Sequence, residues 1–197
     1  SRPMPASGTR RETDRPMVLW NHRWDEDKHP EVLVRALRRL AADGVDFDVI
    51  LAGEDAWDGE PRRAHAVAAL GDRVYAAGHA DRAGYLAHLA RSDVVVSAAE
   101  HEFFGVSVVE ALAAGCVPVL PRALSYPELV PERFHDVALY PPGMFRRRLG
   151  EVLGDLQAAR VAVDGLAQEM RRYDWSAIAP ALDGELTEAV AQLRSQA

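Results

Sequence analysis

One stretch, residues 94–120, limits the folds open to this chain more than any other. It begins with an apolar run, Val94–Val96, followed by small residues. Gly105 then opens a helical pattern that reaches Gly115, and residues 117–120 form a second apolar run. A strand, a helix and a strand in this order predict two parallel strands joined by a right-handed crossover.

Two carboxylates, Glu102 and Glu110, bracket the start of the predicted helix. The helix begins at the carboxyl end of a parallel strand, where open α/β sheets bind their ligands. The free N–H groups of a helix N-terminus favour an anion at that point. The stretch therefore predicts an anion-binding site flanked by two glutamates.

The same alternation runs through the rest of the chain. Further strands are predicted, with helical patterns between and after them, at residues 17–20, 47–52, 74–76 and 136–140. Residues 55–60 are predicted as a loop before a helix that starts at Ala64, and Asp81 can cap the next helix. We therefore expect an α/β, Rossmann-like fold: a parallel sheet of about six strands with helices on both faces.

Composition and charge argue against some kinds of partner for this chain. The 197 residues suffice for one domain with a full core. The 30 acidic and 23 basic residues give a net charge of −7, which argues against this chain as the main clamp on a nucleic-acid backbone. No apolar run approaches the length of a membrane span, so no membrane partner is expected. The single cysteine, Cys116, cannot form an internal disulfide, which fits a reducing cytoplasm.

The first residues differ from the rest of the chain. Residues 1–16 are rich in Pro, Arg, Ser and Thr and have no periodicity, so they are predicted as a linker or disordered tail. Residues 17–197 are predicted as the folded domain. Because no initiating Met is present, we expect a fragment or a processed chain.

Loops that follow the strands are expected to meet at one edge of the sheet. These loops are residues 21–28, 53–54, 78–79 and 98–105. Arg23 and Lys28, in the first loop, would place two cations near the helix terminus, and that combination suits a diphosphate. The histidines are scattered, so neither a metal nor another cofactor is expected. Gly53-Glu54 is not a glycine-rich dinucleotide fingerprint, which argues against a nicotinamide or flavin enzyme.

Each of these residues has an ordinary alternative when it is taken singly. An Arg or Lys in a loop is usually a surface residue without function, and Glu110 could be an ordinary helix residue. Phe103 and Phe104 are more often core residues than ligand platforms. Only the combination favours a site.

The combination resembles the donor-site signature of family four of the retaining GT-B glycosyltransferases. Glu102-Phe-Phe-Gly-Val and Glu110-Ala match the part of that signature in which two glutamates, separated by seven residues, surround Phe-Gly and the helix start. Arg23 and Lys28 match the phosphate-binding pair of the family, and residues 74–78 fall where the family holds the nucleotide base. The resemblance covers residues 17–178.

A more specific similarity is to a subgroup that attaches mannose to queuosine in tRNA. The shared segments are Trp20-Asn-His-Arg-Trp, Asp27-Lys28, His101-Glu-Phe-Phe-Gly-Val and Leu124-x-Tyr-Pro-Glu128. The subgroup also shares Phe103, where the wider family has a small residue. This resemblance implies GDP-mannose as donor and queuosine in the tRNA for aspartate as acceptor.

The resemblance also implies a role for individual residues. Arg23 and Lys28 would offset charge on the diphosphate without a metal, and Glu102 would bind the transferred sugar, so these three are the expected catalytic residues. Glu110 would accept hydrogen bonds from the ribose hydroxyls. The residues expected to bind substrate are Asn21, His22, Arg23, Lys28, Gly78, His79, Glu102, Phe104, Gly105, Val106 and Glu110.

A GT-B enzyme has two Rossmann-like domains, and the motifs of this chain are those of the C-terminal one. We therefore expect a missing N-terminal domain as partner, with tRNA contacts mainly on that half and negligible transfer by this chain alone. The last helix around Trp175 would return toward that domain, so its apolar face is expected to be exposed or to self-associate. Two other interpretations stay open: a non-enzymatic Rossmann-like nucleotide-binding module, and a GT-B sugar-nucleotide epimerase or phosphorylase.

Overall fold

The computed structural model describes residues 15–55 and 59–195. Six strands form one parallel sheet in the order β3-β2-β1-β4-β5-β6. The strands are β1 (Met17–Trp20), β2 (Asp48–Ala52), β3 (Val74–Gly78), β4 (Val94–Val96), β5 (Val117–Pro121) and β6 (Leu139–Tyr140). The predicted six-stranded parallel sheet is confirmed. Of the predicted tail, only residues 15 and 16 fall within the described ranges.

Ten α-helices connect and follow the strands within the described residues. They are α1 (Pro30–Ala42), α2 (Gly59–Leu70), α3 (Arg82–Arg91), α4 (Val106–Ala113), α5 (Tyr126–Leu129), α6 (His135–Ala138), α7 (Phe145–Gly154), α8 (Leu156–Ala162), α9 (Leu166–Glu169) and α10 (Trp175–Ser195). Right-handed crossovers place α1 and α2 on one face of the sheet and α3 and α4 on the other. The predicted cap of α3 is confirmed, since the Asp81 carboxylate accepts from the Gly84 N–H at 2.7 Å.

The central strands are apolar along their whole length because helices cover both faces of the sheet. All residues of β1 and β4 are fully buried. The core continues into α1 through leucines such as Leu33 and Leu37, which the 3.6-residue repeat places on the inner face. The single cysteine, Cys116, is buried in the same core, as its size and polarity predict.

The strand order reverses next to β1, which pairs with β2 on one side and with β4 on the other. The loops after β1 and β4 therefore leave the sheet side by side. A hydrogen bond of 2.8 Å from the Glu100 N–H to the Asp27 carbonyl joins these two loops directly. A topological switch point of this kind opens a crevice at the carboxyl edge of the sheet.

Two sequence predictions about element boundaries are wrong. Residues 136–138 were expected in the sixth strand, but they lie in α6, and β6 has only two residues. A short apolar run does not distinguish a strand from a helical turn, and the His135 ring fixes the turn through the Pro127 and Val130 carbonyls, at 3.0 and 2.8 Å. In the second case, α2 begins at Gly59 rather than Ala64; residues 56–58 of the predicted loop lie outside the described residues.

The C-terminal helix α10 carries an apolar face that neighbouring elements leave uncovered. Trp175, Leu182 and Leu186 are 51%, 44% and 56% exposed. The expectation that this face is exposed is confirmed, whereas self-association stays a prediction. Within residues 15–55 and 59–195, no helix combines the length and apolar character of a membrane span.

Candidate functional site

A cavity of about 530 Å³ lies at the carboxyl edge of the sheet, beside the switch point. That volume falls in the range of small-ligand sites. Its lining comes from the loops after β1, β2 and β3 and from the starts of α3 and α4: Asn21, His22, Arg23, Ala52, Gly53, Glu54, His79, Ala80, Asp81, Arg82, Tyr85, Val106, Ser107 and Glu110. The predicted convergence of loops is therefore confirmed for those after β1, β2 and β3.

The floor of the crevice depends on close backbone contact at Gly53. A Cβ atom at this position would lie 1.8 Å from the His22 carbonyl oxygen, so only glycine fits. The next residue, Glu54, accepts a hydrogen bond from the Trp24 N–H at 3.1 Å. The Gly53 N–H also reaches the Gly78 carbonyl at 3.4 Å, which links the loops after β2 and β3. These contacts hold the first three loops in one fixed arrangement.

Glu110 is fixed in place by residues of α3. Its Oε1 atom accepts a hydrogen bond from the Arg82 guanidinium at 2.8 Å, and the Tyr85 hydroxyl contacts the same carboxylate. Burial, and next the Glu110 charge, raise the pKa of Tyr85, so its hydroxyl stays protonated. Asn21 extends the network because its amide donates to the Tyr85 hydroxyl at 3.1 Å and to the Ser107 carbonyl at 2.8 Å. One polar chain thus joins β1, α3 and α4.

The N-terminus of α4 faces the crevice without a side-chain cap. Gly105 is the N-cap residue and has φ +86°, a left-handed conformation that favours glycine. Val106 and Ser107, in the first turn, line the cavity. Unpaired N–H groups and the positive end of the helix dipole meet at this point. The geometry suits an oxyanion.

Glu102 occupies a separate position beside Lys28 and His22. Its Oε2 atom lies 3.7 Å from the Lys28 ammonium and 3.8 Å from Nδ1 of His22. Lys28 also donates to the His101 carbonyl and pairs with Asp27 at 3.0 Å. The Lys28 and Glu102 side chains are only 10% and 15% exposed. Neither residue lines the 530 Å³ cavity, so the structure divides the predicted site into two parts.

His22 is a buried, neutral imidazole between these two parts. Burial, and next the Lys28 charge, lower the pKa of His22 to about 4. Its ring packs edge-on against Trp20, with centroids 5.8 Å apart. Nε2 is buried and has no hydrogen-bond partner among the described residues. The ring is held by packing and by a backbone hydrogen bond with Val96, and it stays uncharged at neutral pH.

Arg23 differs from Lys28 in its environment. Its side chain is 65% exposed and pairs with Asp25 at 3.0 Å at the rim of the cavity. An exposed ion pair contributes only about 0–1 kcal/mol, so a stronger anion can replace the aspartate at little cost. Arg23 is the exposed cation of the predicted pair and Lys28 the buried one.

The phenylalanines of the Glu102-Phe-Phe-Gly motif do not belong to the core. Phe103 is fully exposed and Phe104 is 46% exposed. The Phe104 ring stacks edge-on against Tyr173, with centroids 5.4 Å apart.

On the opposite side of the crevice, His79 lines the cavity, and Gly78 has φ +99° at the end of β3.

Two buried tyrosines support the loop that carries Glu102. The Tyr126 hydroxyl donates to Ser97 Oγ at 2.8 Å, and the Tyr140 hydroxyl donates to the Ser97 carbonyl at the same distance. Burial raises the pKa of both phenols. A Cβ atom on Gly105 would contact the Tyr126 ring at 3.6 Å, which places this tyrosine directly below the start of α4.

Sequence reasoning missed Arg82 and Tyr85, which fix Glu110. Their spacing of three residues puts both on one face of α3. The cap at Asp81 shows that this helix begins directly after the loop that follows β3. That pattern was visible, but its relation to Glu110, twenty-five or more residues later, was not.

No group of three or more metal-ligand side chains occurs in the described part of the chain; metal independence stays a prediction.

Comparison with known proteins agrees with the fold and the motifs. Residues 7–155 match the family described as "Glycosyl transferases group 1". Over 115 residues the chain is 41% identical to tRNA-queuosine alpha-mannosyltransferase of Drosophila melanogaster, a match that covers 58% of this chain and 30% of the fly protein.

Solved structures show the same architecture. Sucrose-phosphate synthase from Thermosynechococcus elongatus superposes with a TM-score of 0.76 at 25% identity, over 91% of this chain and 46% of the other. Anabaena HepE in complex with UDP and glucose gives 0.69 at 19% identity, over 90% of this chain and 48% of the other. The chain therefore spans about a third of the fly relative in the matched region and about half of each structural neighbour.

Proposed function

The chain belongs to the glycosyl transferases group 1 family, and we propose that it is the sugar-nucleotide-binding, C-terminal GT-B domain of a retaining glycosyltransferase. The donor in this proposal is GDP-mannose, and the acceptor is queuosine in the tRNA for aspartate, in the cytoplasm. The observation that carries the proposal is the cavity at the switch point, with Glu110 and Arg23 in its lining and the uncapped start of α4 beside them. The 41% identity to the fly mannosyltransferase supports the choice of sugar and acceptor.

Glu110 is the proposed ribose ligand. Its carboxylate is paired with Arg82 at 2.8 Å, and two vicinal hydroxyls can donate hydrogen bonds to one such group. The Tyr85 hydroxyl contacts the same carboxylate and is itself held by the Asn21 amide, so the rotation of the carboxylate is restricted. The carboxylate therefore needs no rearrangement when the ribose binds.

The diphosphate would lie between Arg23 and the N-terminus of α4. Arg23, whose own side chain is exposed, can release Asp25 and form a bidentate contact with phosphate oxygens. The N–H groups near Gly105 and Val106 would bind the other side of the same group. Charge grows on the diphosphate as the glycosidic bond breaks, so fixed donors at this place stabilise the transition state more than the ground state.

Glu102 is the proposed contact to the transferred sugar, and Lys28 and His22 would position it. The ammonium of Lys28 lies 3.7 Å from the carboxylate and is itself fixed by the His101 carbonyl and by Asp27. Lys28 therefore fixes the position of Glu102 and adds positive potential at the phosphate end of the crevice. The acceptor groups would come from a second domain, because the matched relatives extend well beyond this chain.

Thermal unfolding with GDP, UDP and ADP tests the proposal. A ligand at one hundred times its Kd stabilises the folded state by about 2.7 kcal/mol, which corresponds to roughly 5–10 °C for a chain of this size. We expect GDP to raise the midpoint most at equal concentration. If no nucleotide raises it, the chain is a nucleotide-independent module and the proposal is wrong; a larger effect of UDP or ADP rejects GDP-mannose as donor.

A further inference from the structure

A second groove, of about 500 Å³, lies between α1 and α2, on the outer surface of the sheet's first helical layer. Arg35, Arg38 and Arg39 of α1 line it, opposite His65 of α2. Arg38 and Arg39 follow Arg35 by three and four residues, which places each of them next to Arg35 on the helix surface, about 5–6 Å away at Cβ. We call Arg35, Arg38 and Arg39 the arginine face.

The arginine face contrasts with several other arginines of the chain, which form ion pairs. Arg63 pairs with Asp55 at 2.8 Å, Arg146 with Asp43 at 3.1 Å and Arg147 with Glu151 at 2.9 Å. By contrast, within residues 15–55 and 59–195 no carboxylate lies within ion-pair distance of the arginine face. The face is a local concentration of positive charge on a chain whose net charge is −7.

Few acidic side chains oppose the positive charge of the groove among the described residues. Among the described residues, Glu31 is the one carboxylate in its lining, and the His29 ring binds that carboxylate at 3.0 Å. Interactions with Glu31 and Glu100 raise the pKa of His29, although partial burial acts in the opposite direction. The groove therefore combines three permanent positive charges with little opposing charge.

The chemistry of the groove fits a row of phosphates better than a single small anion. One phosphate can occupy one or two guanidinium groups, whereas these three extend along more than one helical turn. We propose that the arginine face binds the phosphate backbone of the RNA acceptor. This inference rests on the proposed function, because that function supplies an RNA substrate.

The position of α1 is consistent with this role. The helix starts at Pro30, directly after the loop that carries Arg23 and Lys28. At 1.5 Å per residue, Arg35 lies about 8 Å along the helix from that start. An RNA whose target nucleotide enters the crevice can thus place flanking phosphates on the arginine face, while the overall negative charge of the chain disfavours binding elsewhere.

Fluorescence anisotropy with a labelled RNA hairpin tests the proposal on the 197-residue chain. Each phosphate contact contributes about 0.7–0.9 to the slope of log affinity against log salt. The triple variant R35Q/R38Q/R39Q should therefore lower that slope by about 2–3. Between 50 and 200 mM salt, the unmodified chain should lose roughly 20- to 40-fold more affinity than this variant.

The matched control is R146Q/R147Q/R148Q, which removes the same charge from arginines that already contact protein groups. Its slope should equal that of the unmodified chain. The proposal is overturned if the unmodified chain does not bind the hairpin, if both triple variants lose affinity equally, or if heparin binds the arginine face and RNA does not. Stabilisation by GDP should persist in R35Q/R38Q/R39Q. If GDP does not stabilise the unmodified chain but RNA still binds it, the donor assignment is rejected and the proposal for the arginine face is retained.

Discussion

The free energy of unfolding should decrease as the pH falls, and replacement of His22 by asparagine should remove a large part of that decrease. In the native state, burial and Lys28 hold the pKa of His22 near 4, whereas in the unfolded chain the imidazole titrates near 6.5. Above pH 6.5 both states are neutral and the group has no effect on stability. As the pH falls from 6.5 toward 4, the unfolded chain takes up a proton that the native state does not, so stability is lost.

The size of this loss follows from the two pKa values. One pKa unit corresponds to 1.36 kcal/mol, so the full shift costs about 3 kcal/mol at a pH below both values. Between pH 7 and pH 5 the loss is roughly 2 kcal/mol. This is a substantial part of the 5–15 kcal/mol that stabilises a typical domain.

Urea unfolding at pH 7, 6 and 5 measures this effect directly. The free energy of unfolding should fall by roughly 2 kcal/mol more in the unmodified chain than in His22→Asn over this interval. His101→Asn, which removes an exposed imidazole from the neighbouring loop, is the matched control and should keep the full pH dependence. Identical pH profiles for His22→Asn and the unmodified chain would refute a buried, neutral His22.

Three further substitutions test the construction of the crevice. Gly53→Ala puts a Cβ atom 1.8 Å from the His22 carbonyl oxygen and should lower the free energy of unfolding in urea by about 3 kcal/mol or more. The control is Gly154→Ala, whose Cβ atom would have nothing within 4 Å and which should not destabilise the fold. Equal free energies of unfolding for the two variants would contradict the close contact. Tyr126→Phe should lower the free energy of unfolding by about 1 kcal/mol through the lost bond to Ser97, and an unchanged value would count against that bond. Tyr85→Phe should weaken GDP binding about two- to tenfold by calorimetry, with stability at neutral pH changed by about 1 kcal/mol or less; unaltered affinity would separate Tyr85 from the nucleotide site.

The fold was largely predictable because its signals are local. Alternating apolar runs and helical patterns predict the strands, and the stretch from Val94 to residue 120 predicts the crossover at which the site forms. The sixth strand was not predictable from residues 136–140, because a run of five residues fits either a strand or a helical turn. The structure settles this point through the contacts of the His135 ring with two carbonyls, which are tertiary interactions.

The loops that carry the candidate residues were predictable, but the positions of these residues relative to one another were not. The sequence places Arg23 and Lys28 in one loop and suggests equal roles. In the structure, Arg23 is exposed at the rim and Lys28 is buried against Glu102. Which of two nearby cations is buried depends on the approach of the Glu102 loop, and that approach is fixed by long-range bonds such as Glu100 to Asp27.

Calorimetric titration with GDP tests the central claim, that the crevice at the carboxyl edge of the sheet binds a nucleoside diphosphate. The comparison is between Arg23→Ala and Arg122→Ala, since both remove an exposed arginine that is paired with an aspartate, at 3.0 and 2.7 Å. We predict that GDP binds the unmodified chain and Arg122→Ala equally well, and that Arg23→Ala weakens binding about tenfold or more. Absence of GDP binding to the unmodified chain, or equal affinity in all three proteins, would contradict the claim.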